Sequence, residues 1–401
     1  MKNHTAICTK LFLALLLVVN VPFAKASYRW SVKNDFPGGI RNAAVGFSIG
    51  NTGYLCTGYD GTWTVTDCWS YDFQNDTWTQ IADLPGVSRF AAAAFSVNQQ
   101  GFVGFGWANP SGGQLADFWR YNPVTNSWTA LANFPGASRY TVVTLVLNGK
   151  AYCGTGYLPY TNDWWVYDPV TDTWTQKANF PGSARQSASG FALNGIGYLG
   201  LGYDGGCNVD FFAYDPNVNN WNQVADFPGP ARYGAAAFTQ NGLGYVGTGG
   251  DGVDFFSDFF SYDPVSDQWS PIDSLPGPGC RHPATFSLSN KAYVATGIVQ
   301  GADGSDAVYE YGPFDPSGIE DIKSPVASWQ IVQNANLQLS LSIPATSQLP
   351  SQIELFSTEG KLIYSTKDCS SFNFAPHPQT IYLYRLTHPD GYEKAGKLVT
   401  R

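Results

Sequence analysis

The sequence repeats a short pattern six times, and this repetition constrains the fold more than any other feature. The tryptophans that mark it are 46 to 50 residues apart: Trp30, Trp78, Trp128, Trp174, Trp221 and Trp269. Six residues after each comes Phe or Leu, then Pro-Gly, and an arginine follows shortly. An internal period of this length predicts a solenoid or a propeller, in which each repeat is one supersecondary unit.

Turn sequences inside the repeats decide between these two architectures. In the third repeat, Asn148-Gly149 is a hairpin turn, and Asp168-Pro169 begins a second turn. The turns help to separate four runs of β-forming residues, at 140–147, 151–156, 163–167 and 173–176. No repeat has a helical pattern long enough for an α-solenoid. Four antiparallel strands per repeat are typical of a propeller blade.

These motifs resemble the kelch repeat. The shared elements are a hydrophobic residue and Tyr shortly before Gly-x-Gly, then Asp, two aromatic residues and Tyr-Asp-Pro, and finally Thr-x-Thr-Trp. The resemblance covers residues 28–313 and implies an all-β, six-bladed kelch-type β-propeller. The last repeat lacks a tryptophan strand and Trp30 has no strands before it. We therefore expect residues 28–32 to close the last blade of a propeller domain that spans 27–313.

The N-terminus has the features of a secretory signal peptide. Lys2 and Lys10 precede a short apolar run, and Ala24-Lys25-Ala26 matches a cleavage site, so residues 1–26 are predicted to be removed. The alternative is a membrane helix, but Asn20 and Pro22 interrupt a run that is too short to span a bilayer. We predict an exported protein with no transmembrane helix in the mature chain.

After a predicted linker at 314–325, residues 326–401 predict a small Ig-like β-sandwich. Its segments 353–363, 381–386 and 396–399 resemble the C-terminal sorting domain of the type IX secretion system. This resemblance implies export through the periplasm, contact with the outer-membrane secretion machinery of Bacteroidetes-type bacteria, and a secreted or cell-surface location. The alternative is an ordinary adhesive Ig-like module.

Arginine and aromatic residues are predicted to meet at one end of the ring. The inter-blade arginines are Arg41, Arg89, Arg139, Arg185, Arg232 and Arg281, and aromatic residues at the ends of second strands are Tyr59, Trp107, Tyr157 and Tyr203. Such groups stack on sugar rings and pair with anions. Trp63, Tyr160, Phe90, Tyr140 and Tyr233 extend the set. The alternative is that each arginine pairs with a neighbouring Asp. We predict binding of a glycan or a protein.

Catalytic signals are sparse. His282 is the one histidine of residues 27–313, and no nucleophile motif or metal-ligand spacing occurs, so no catalytic residue, cofactor or metal is predicted. A net charge of −9 disfavours nucleic-acid binding. One alternative is a sugar-processing enzyme similar to kelch-type sialic-acid mutarotases, using Arg with Asp or Glu310. Another is a purely structural adhesin.

Two cysteines are predicted to form a disulfide. Cys56 occupies a position that is Gly in most copies, and Cys68 occupies one that is Phe or Trp in copies two to five. Because these positions lie on neighbouring strands and exported proteins meet oxidising conditions, we predict a Cys56–Cys68 bond. The alternative is two buried thiols. No pairing is predicted for Cys153, Cys207, Cys280 and Cys369.

Overall fold

A computed structural model describes residues 28–109, 112–313, 330–333, 339–342, 350–357, 361–367, 374, 381–387 and 393–399. The predicted signal peptide and linker lie outside these residues. The regular secondary structure in the described part of the chain consists of β-strands without helices, which confirms the all-β fold class. Within the same residues, no helix of a length and hydropathy suited to crossing a membrane occurs.

Residues 28–313 form six four-stranded antiparallel sheets, which we number as blades 1 to 6. From the innermost strand outward, blades 1 to 3 are Val45–Ile49, Thr52–Cys56, Cys68–Asp72 and Thr77–Ile81; Ala93–Val97, Gln100–Gly104, Phe118–Asn122 and Ser127–Ala130; and Val143–Leu147, Lys150–Gly154, Trp164–Asp168 and Thr173–Lys177. Blades 4 to 6 are Ser189–Leu193, Ile196–Gly200, Phe211–Asp215 and Asn220–Val224; Ala236–Gln240, Leu243–Gly247, Phe259–Asp263 and Gln268–Ile272; and Ala284–Leu288, Lys291–Ala295, Val308–Pro313 and Tyr28–Val32.

The six blades close into a ring. The innermost strand of each blade contacts that of the next, and Ala284–Leu288 of blade 6 contacts Val45–Ile49 of blade 1. Tyr28–Val32 supplies the outermost strand of blade 6 by pairing antiparallel with Val308–Pro313. The first described strand therefore joins the last repeat, so blade 6 has the same four strands as the other blades.

Local sequence explains the strand boundaries. In the innermost strand of blade 1, Val45, Phe47 and Ile49 are buried while the residues between them are partly exposed, as the two-residue period of a strand requires. Asn148 and Gly149 both have positive φ, 52° and 74°, which suits the tight hairpin turn that they form.

The repeated tryptophan connects neighbouring blades. Trp174 on the outermost strand of blade 3 donates its indole N–H to the carbonyl oxygen of Ala132, which follows blade 2. The Asp172 carboxylate accepts hydrogen bonds from the Ala132 N–H and from the Tyr167 hydroxyl. Trp128, Trp221 and Trp269 donate to the corresponding alanines of their neighbours. The repeat pattern thus encodes both the blade and its attachment.

The described part of the C-terminal region consists of two further antiparallel sheets. A two-stranded sheet pairs Gln330–Gln333 with Leu339–Ser342. A four-stranded sheet has the order Leu362–Thr366, Gln352–Phe356, Ile381–Thr387 and Glu393–Val399. The Ig-like sandwich and its sorting role stay predictions.

Candidate functional site

One end of the ring, which we call the mouth, is formed in each blade by the segment before the first strand and the segment after the second strand. The two segments of each blade pair there through backbone bridges. From blade 1 to blade 6 the paired residues are Asn42–Tyr59, Phe90–Trp107, Tyr140–Tyr157, Gln186–Tyr203, Tyr233–Gly250 and Arg281–Ile298.

Below the mouth, one residue of each blade contributes to a narrow collar around the axis, which we call the belt. Its members are Ala43, Ala91, Thr141, Ser187, Gly234 and His282, and all six have φ between 47° and 64°. The N–H of Ala91 donates to the carbonyl oxygen of Ala43, and the N–H of Ala43 donates to that of His282. Equivalent bonds join His282 to Gly234, Gly234 to Ser187 and Thr141 to Ala91.

The belt surrounds a recess of about 140 Å³, which is lined by the belt residues and their successors in each blade. Most of these residues are small, and His282 is the largest belt side chain. A recess of this size holds a few water molecules or a small substituent of a ligand. The ring is therefore constricted but not filled at this level.

The imidazole ring of His282 lies directly against Gly234. A Cβ atom at residue 234 would clash with this ring, so a glycine is needed there. Its Nε2 is 3.0 Å from the Ser187 hydroxyl oxygen on the blade beyond. Desolvation, together with the nearby Arg281 charge, lowers the pKa of His282 to about 4. The imidazole is therefore neutral at pH 7 and able to donate or accept a hydrogen bond.

Above the belt, aromatic side chains of blades 2 to 5 form a continuous series, which we call the aromatic arc. Successive ring centroids are 4.7 to 6.4 Å apart, in the order Phe90, Tyr140, Tyr157, Tyr160, Tyr203 and Tyr233, with Trp107 5.4 Å from Tyr140. All seven side chains are partly exposed. The arc ends beside His282, whose ring centroid is 5.9 Å from that of Tyr233.

Five of the six arginines predicted to bind ligand are structural. Arg89 is fully buried, and its Nη1 and Nη2 donate to Asp117 Oδ1 and Oδ2 at 2.6 and 2.7 Å. It also donates to the Val87 and Phe105 carbonyl oxygens. The same bidentate pairing with Asp occurs at Arg41, Arg139, Arg185 and Arg232, all at most 2% exposed. These five side chains are therefore buried with both terminal nitrogens on a carboxylate, which is the alternative of pairing with a neighbouring Asp rather than ligand binding.

In two of these pairs the arginine lowers the pKa of the aspartate. Burial alone would raise the pKa of Asp117, but the hydrogen bonds and charge of Arg89 outweigh it, so the pKa is lowered. Asp163 behaves in the same way beside Arg139. The pairs therefore act as fixed ionic connections between the inter-blade segments and the third strands.

Arg281 does not belong to this series. The Gly249 N–H donates to the carbonyl oxygen of Cys280, as the Gly106 N–H does to that of Arg139, so Cys280 occupies the arginine position of blade 6. Arg281 instead takes the position of Tyr140 in the mouth. The described residues place no carboxylate within ion-pair distance of it.

No family model and no curated protein matches this chain. The solved structure of YjhT matches with a TM-score of 0.61 and 20% sequence identity, over 69% of this chain and 96% of that one. The chain has a β-propeller fold. At this identity the similarity concerns the fold alone.

The predicted aromatic residues of the propeller divide into two groups. Trp107, Tyr157 and Tyr203 belong to the aromatic arc. Tyr59 lies on blade 1, where its hydroxyl donates to the Gly61 carbonyl oxygen at 3.0 Å, and the exposed Trp63 follows in the same loop. His282 and the belt were not among the predicted site residues. The sequence signal that could have pointed to His282 is that it is the one histidine of residues 27–313.

Two other predictions are tested by local contacts in the propeller. Glu310 is 3% exposed, and its carboxylate accepts from the Tyr293 hydroxyl and pairs with Lys291. Glu310 is therefore a buried, paired carboxylate within the third strand of blade 6 and is not one of the residues that form the mouth. Cys56 and Cys68 face each other on paired strands and form a disulfide, with Cα atoms 4.2 Å apart.

The remaining described cysteines are free thiols: Cys153 and Cys280 are buried, and Cys207 is partly exposed. Cys369 lies outside the described residues. Burial raises the pKa of the Cys280 thiol to about 12, so it is not ionised at neutral pH. In the part of the chain that the structure describes, no group of three or more His, Cys, Asp or Glu side chains is arranged to hold a metal.

Proposed function

We propose that the protein binds a glycan at the mouth of the propeller, with sugar rings stacked on the aromatic arc. The arc is the observation that carries this proposal. Seven partly exposed rings in one series offer apolar faces, and the hydroxyls of the five tyrosines among them offer hydrogen bonds. Phe90, Tyr140 and Tyr233 are replaced by polar residues in blades 1 and 4, so the arc is not part of the repeated framework.

The departures from sixfold symmetry cluster on the same side of the ring. Tyr233 of blade 5 adjoins His282 of blade 6, and Gly234 makes room for the imidazole. A purely structural adhesin would need neither an open recess nor an arginine without a carboxylate partner at the mouth. Binding therefore explains features that scaffolding leaves unexplained.

Glycan-array screening of the mature chain tests the proposal, followed by titration of any ligand found. Tyr140→Ala removes the ring that contacts three others of the arc, and we expect it to weaken binding about 10- to 100-fold, as for a well-packed aromatic contact. Trp63→Ala is the matched control, because Trp63 is an exposed aromatic residue outside the arc. Absence of any glycan signal, or equal affinity in Tyr140→Ala and wild type, would exclude this mode of binding.

A second candidate is a sugar-processing enzyme of the kind represented by kelch-type sialic-acid mutarotases. It is favoured by the neutral imidazole of His282, which lies 3.0 Å from Ser187 on the floor of the recess and offers proton transfer to a bound sugar. NMR measurement of anomer exchange tests it. Wild type should accelerate exchange and His282→Gln should not; equal rates with and without protein would eliminate the enzyme.

We also propose that the protein is exported, with residues 1–26 as signal peptide and residues 326–401 as the sorting domain. The support is the sequence pattern at both ends. In a host with a type IX secretion system, deletion of residues 326–401 should leave the propeller in the periplasm. Full-length protein should reach the cell surface or medium. Surface delivery of the truncated chain would contradict the sorting role.

A further inference from the structure

Blade 6 lacks an ion pair that the other five blades have, and neither partner is present at its position. Cys280 stands where Arg139 stands in blade 3, since the carbonyl oxygen of each accepts from the second glycine of a Gly-x-Gly. Ala307 stands where the paired aspartate stands, because its carbonyl accepts from Thr296 as that of Asp258 accepts from Thr248. Blade 6 thus has neither the structural guanidinium nor its carboxylate, and Arg281 is an arginine in a different position.

The surroundings of Arg281 position its guanidinium without neutralising it. Its Cζ atom lies 5.1 Å from the ring centroids of both Tyr233 and Phe255. Nη1 donates to the Tyr233 hydroxyl, and Nε is buried with no hydrogen-bond partner. The side chain as a whole is partly exposed. Two aromatic rings therefore hold a charged group whose hydrogen-bonding capacity is only partly used.

The charge of Arg281 is distinctive at this end of the ring. The five other inter-blade arginines are each compensated by an aspartate, and the chain as a whole carries a net charge of −9. An acidic chain repels anions in general, so anion binding requires a local cation. An arginine cannot relieve partial burial by losing its proton, which leaves a counter-ion as the means of compensation.

We propose that Arg281 binds an anionic group, a carboxylate or a sulfate, carried by the glycan that lies on the aromatic arc. This inference rests on the proposed function, because the arc ends at Tyr233, in contact with Arg281. The planar guanidinium presents paired donors that match two oxygens of either group. The ligand class is therefore an acidic glycan, with its neutral rings toward Tyr140 and its charged group toward blade 6.

Isothermal titration with matched sugars tests the assignment on the mature chain. The probes are digalacturonic acid, its methyl ester, and galactose carrying one sulfate compared with galactose. We expect an acidic probe to bind wild type roughly 10- to 150-fold more tightly than its neutral partner, the range for a charge-assisted hydrogen-bonded contact. The acid that shows the preference identifies carboxylate or sulfate as the natural group.

Variants of Arg281 separate charge from fold. Arg281→Gln should abolish the preference for the acidic probe while leaving binding of the neutral probe within about twofold. Arg281→Lys should keep part of the preference, because lysine retains the positive charge but lacks the planar pair of guanidinium donors. Arg120→Gln is the control, since Arg120 lies mid-strand in the third strand of blade 2. Thermal denaturation confirms that each variant is folded.

A second measurement needs no glycan stacking. The Arg281 charge lowers the pKa of His282, so an anion bound to Arg281 should raise that pKa. Glucuronate should shift the NMR titration of the His282 ring in wild type and not in Arg281→Gln. If neutral and acidic probes bind equally and His282 does not respond, the Arg281 assignment is wrong although glycan binding stands. If no probe binds but His282 responds, the anion site stands and the proposed arc function fails.

Discussion

Replacing Asp117 by Asn is expected to destabilise the propeller, because it leaves a buried guanidinium without its counter-charge. Arg89 is fully buried, and both its terminal nitrogens donate to the Asp117 carboxylate, at 2.6 and 2.7 Å. An asparagine offers one oxygen and turns an amide donor toward an arginine donor. The carboxylate also accepts from the Trp119 indole at 2.7 Å, so the change disturbs the third strand as well.

The magnitude follows from the burial of the two partners. Removing one member of a buried pair costs about 3 to 5 kcal/mol. The Asp117 side chain is 28% exposed, so water partly replaces the lost oxygen, and we expect a loss near the lower end, about 3 kcal/mol. Replacing both partners, as Arg89→Met with Asp117→Leu, should recover most of this loss, because no unpaired charge remains.

Urea denaturation followed by tryptophan fluorescence measures these differences, and glycan binding is measured on the same proteins. Cys280→Ala is the matched control, since Cys280 fills the same position in blade 6 with no charge to leave unpaired. A free energy of unfolding for Asp117→Asn within about 0.5 kcal/mol of wild type would refute the structural role. So would a double variant that is stable yet unable to bind the ligand that wild type binds.

Three further outcomes follow from other features. The pKa of His282 is lowered to about 4 in the folded protein from an ordinary 6.5, so its contribution to stability is complete above pH 6.5. By linkage, at most about 3 kcal/mol of the free energy of unfolding is lost as the pH falls toward 4. The urea midpoint of His282→Gln should therefore fall less than that of wild type between pH 6.5 and pH 4. Deleting Tyr28–Val32 should expose the edge of blade 6, seen as faster hydrogen exchange in Val308–Pro313 and as oligomers by size exclusion; unchanged exchange would contradict closure by that strand. Reducing the Cys56–Cys68 bond should lower the free energy of unfolding by about 2 to 3 kcal/mol, as expected for a loop of this length, with the double alanine variant insensitive to reductant.

The fold was predictable because each repeat contains the turn motifs that end its strands. The Asn148-Gly149 turn and the Asp168-Pro169 turn fix strand lengths locally, and the six tryptophans fix the number of copies. The mouth was predictable in part, since residues at the ends of second strands, such as Trp107 and Tyr157, must lie at one end of a propeller. Local signals were sufficient wherever the structure is decided within one blade.

The assignment of the arginines depended on partners that are distant in the sequence. Burial of Arg89 depends on Asp117, 28 residues away, and sequence alone does not show whether that carboxylate or solvent takes up the charge. The different position of Arg281 had a visible signal, because the other arginines lie three residues after the Gly of Pro-Gly, and from Gly277 that spacing reaches Cys280.

The belt had no comparable signal. Positive φ at Ala43 and Ala91 is unfavourable for residues with a Cβ atom, and neither residue type indicates it. The conformation is stabilised by backbone hydrogen bonds to neighbouring blades, which exist only once the ring is complete. The recess and the position of His282 are therefore consequences of closure, and repeat patterns do not encode them.

The pairing of Tyr28 with Pro313 also fixes where the chain enters and leaves the propeller. The strand that ends at Pro313 starts near the mouth at Val308 and runs away from it, so both exits lie at the opposite end of the ring. A tether attached through the residues after Pro313 would hold the propeller at the end opposite the mouth. The aromatic rings and Arg281 would then point outward, unobstructed by the anchor, toward whatever approaches from solution.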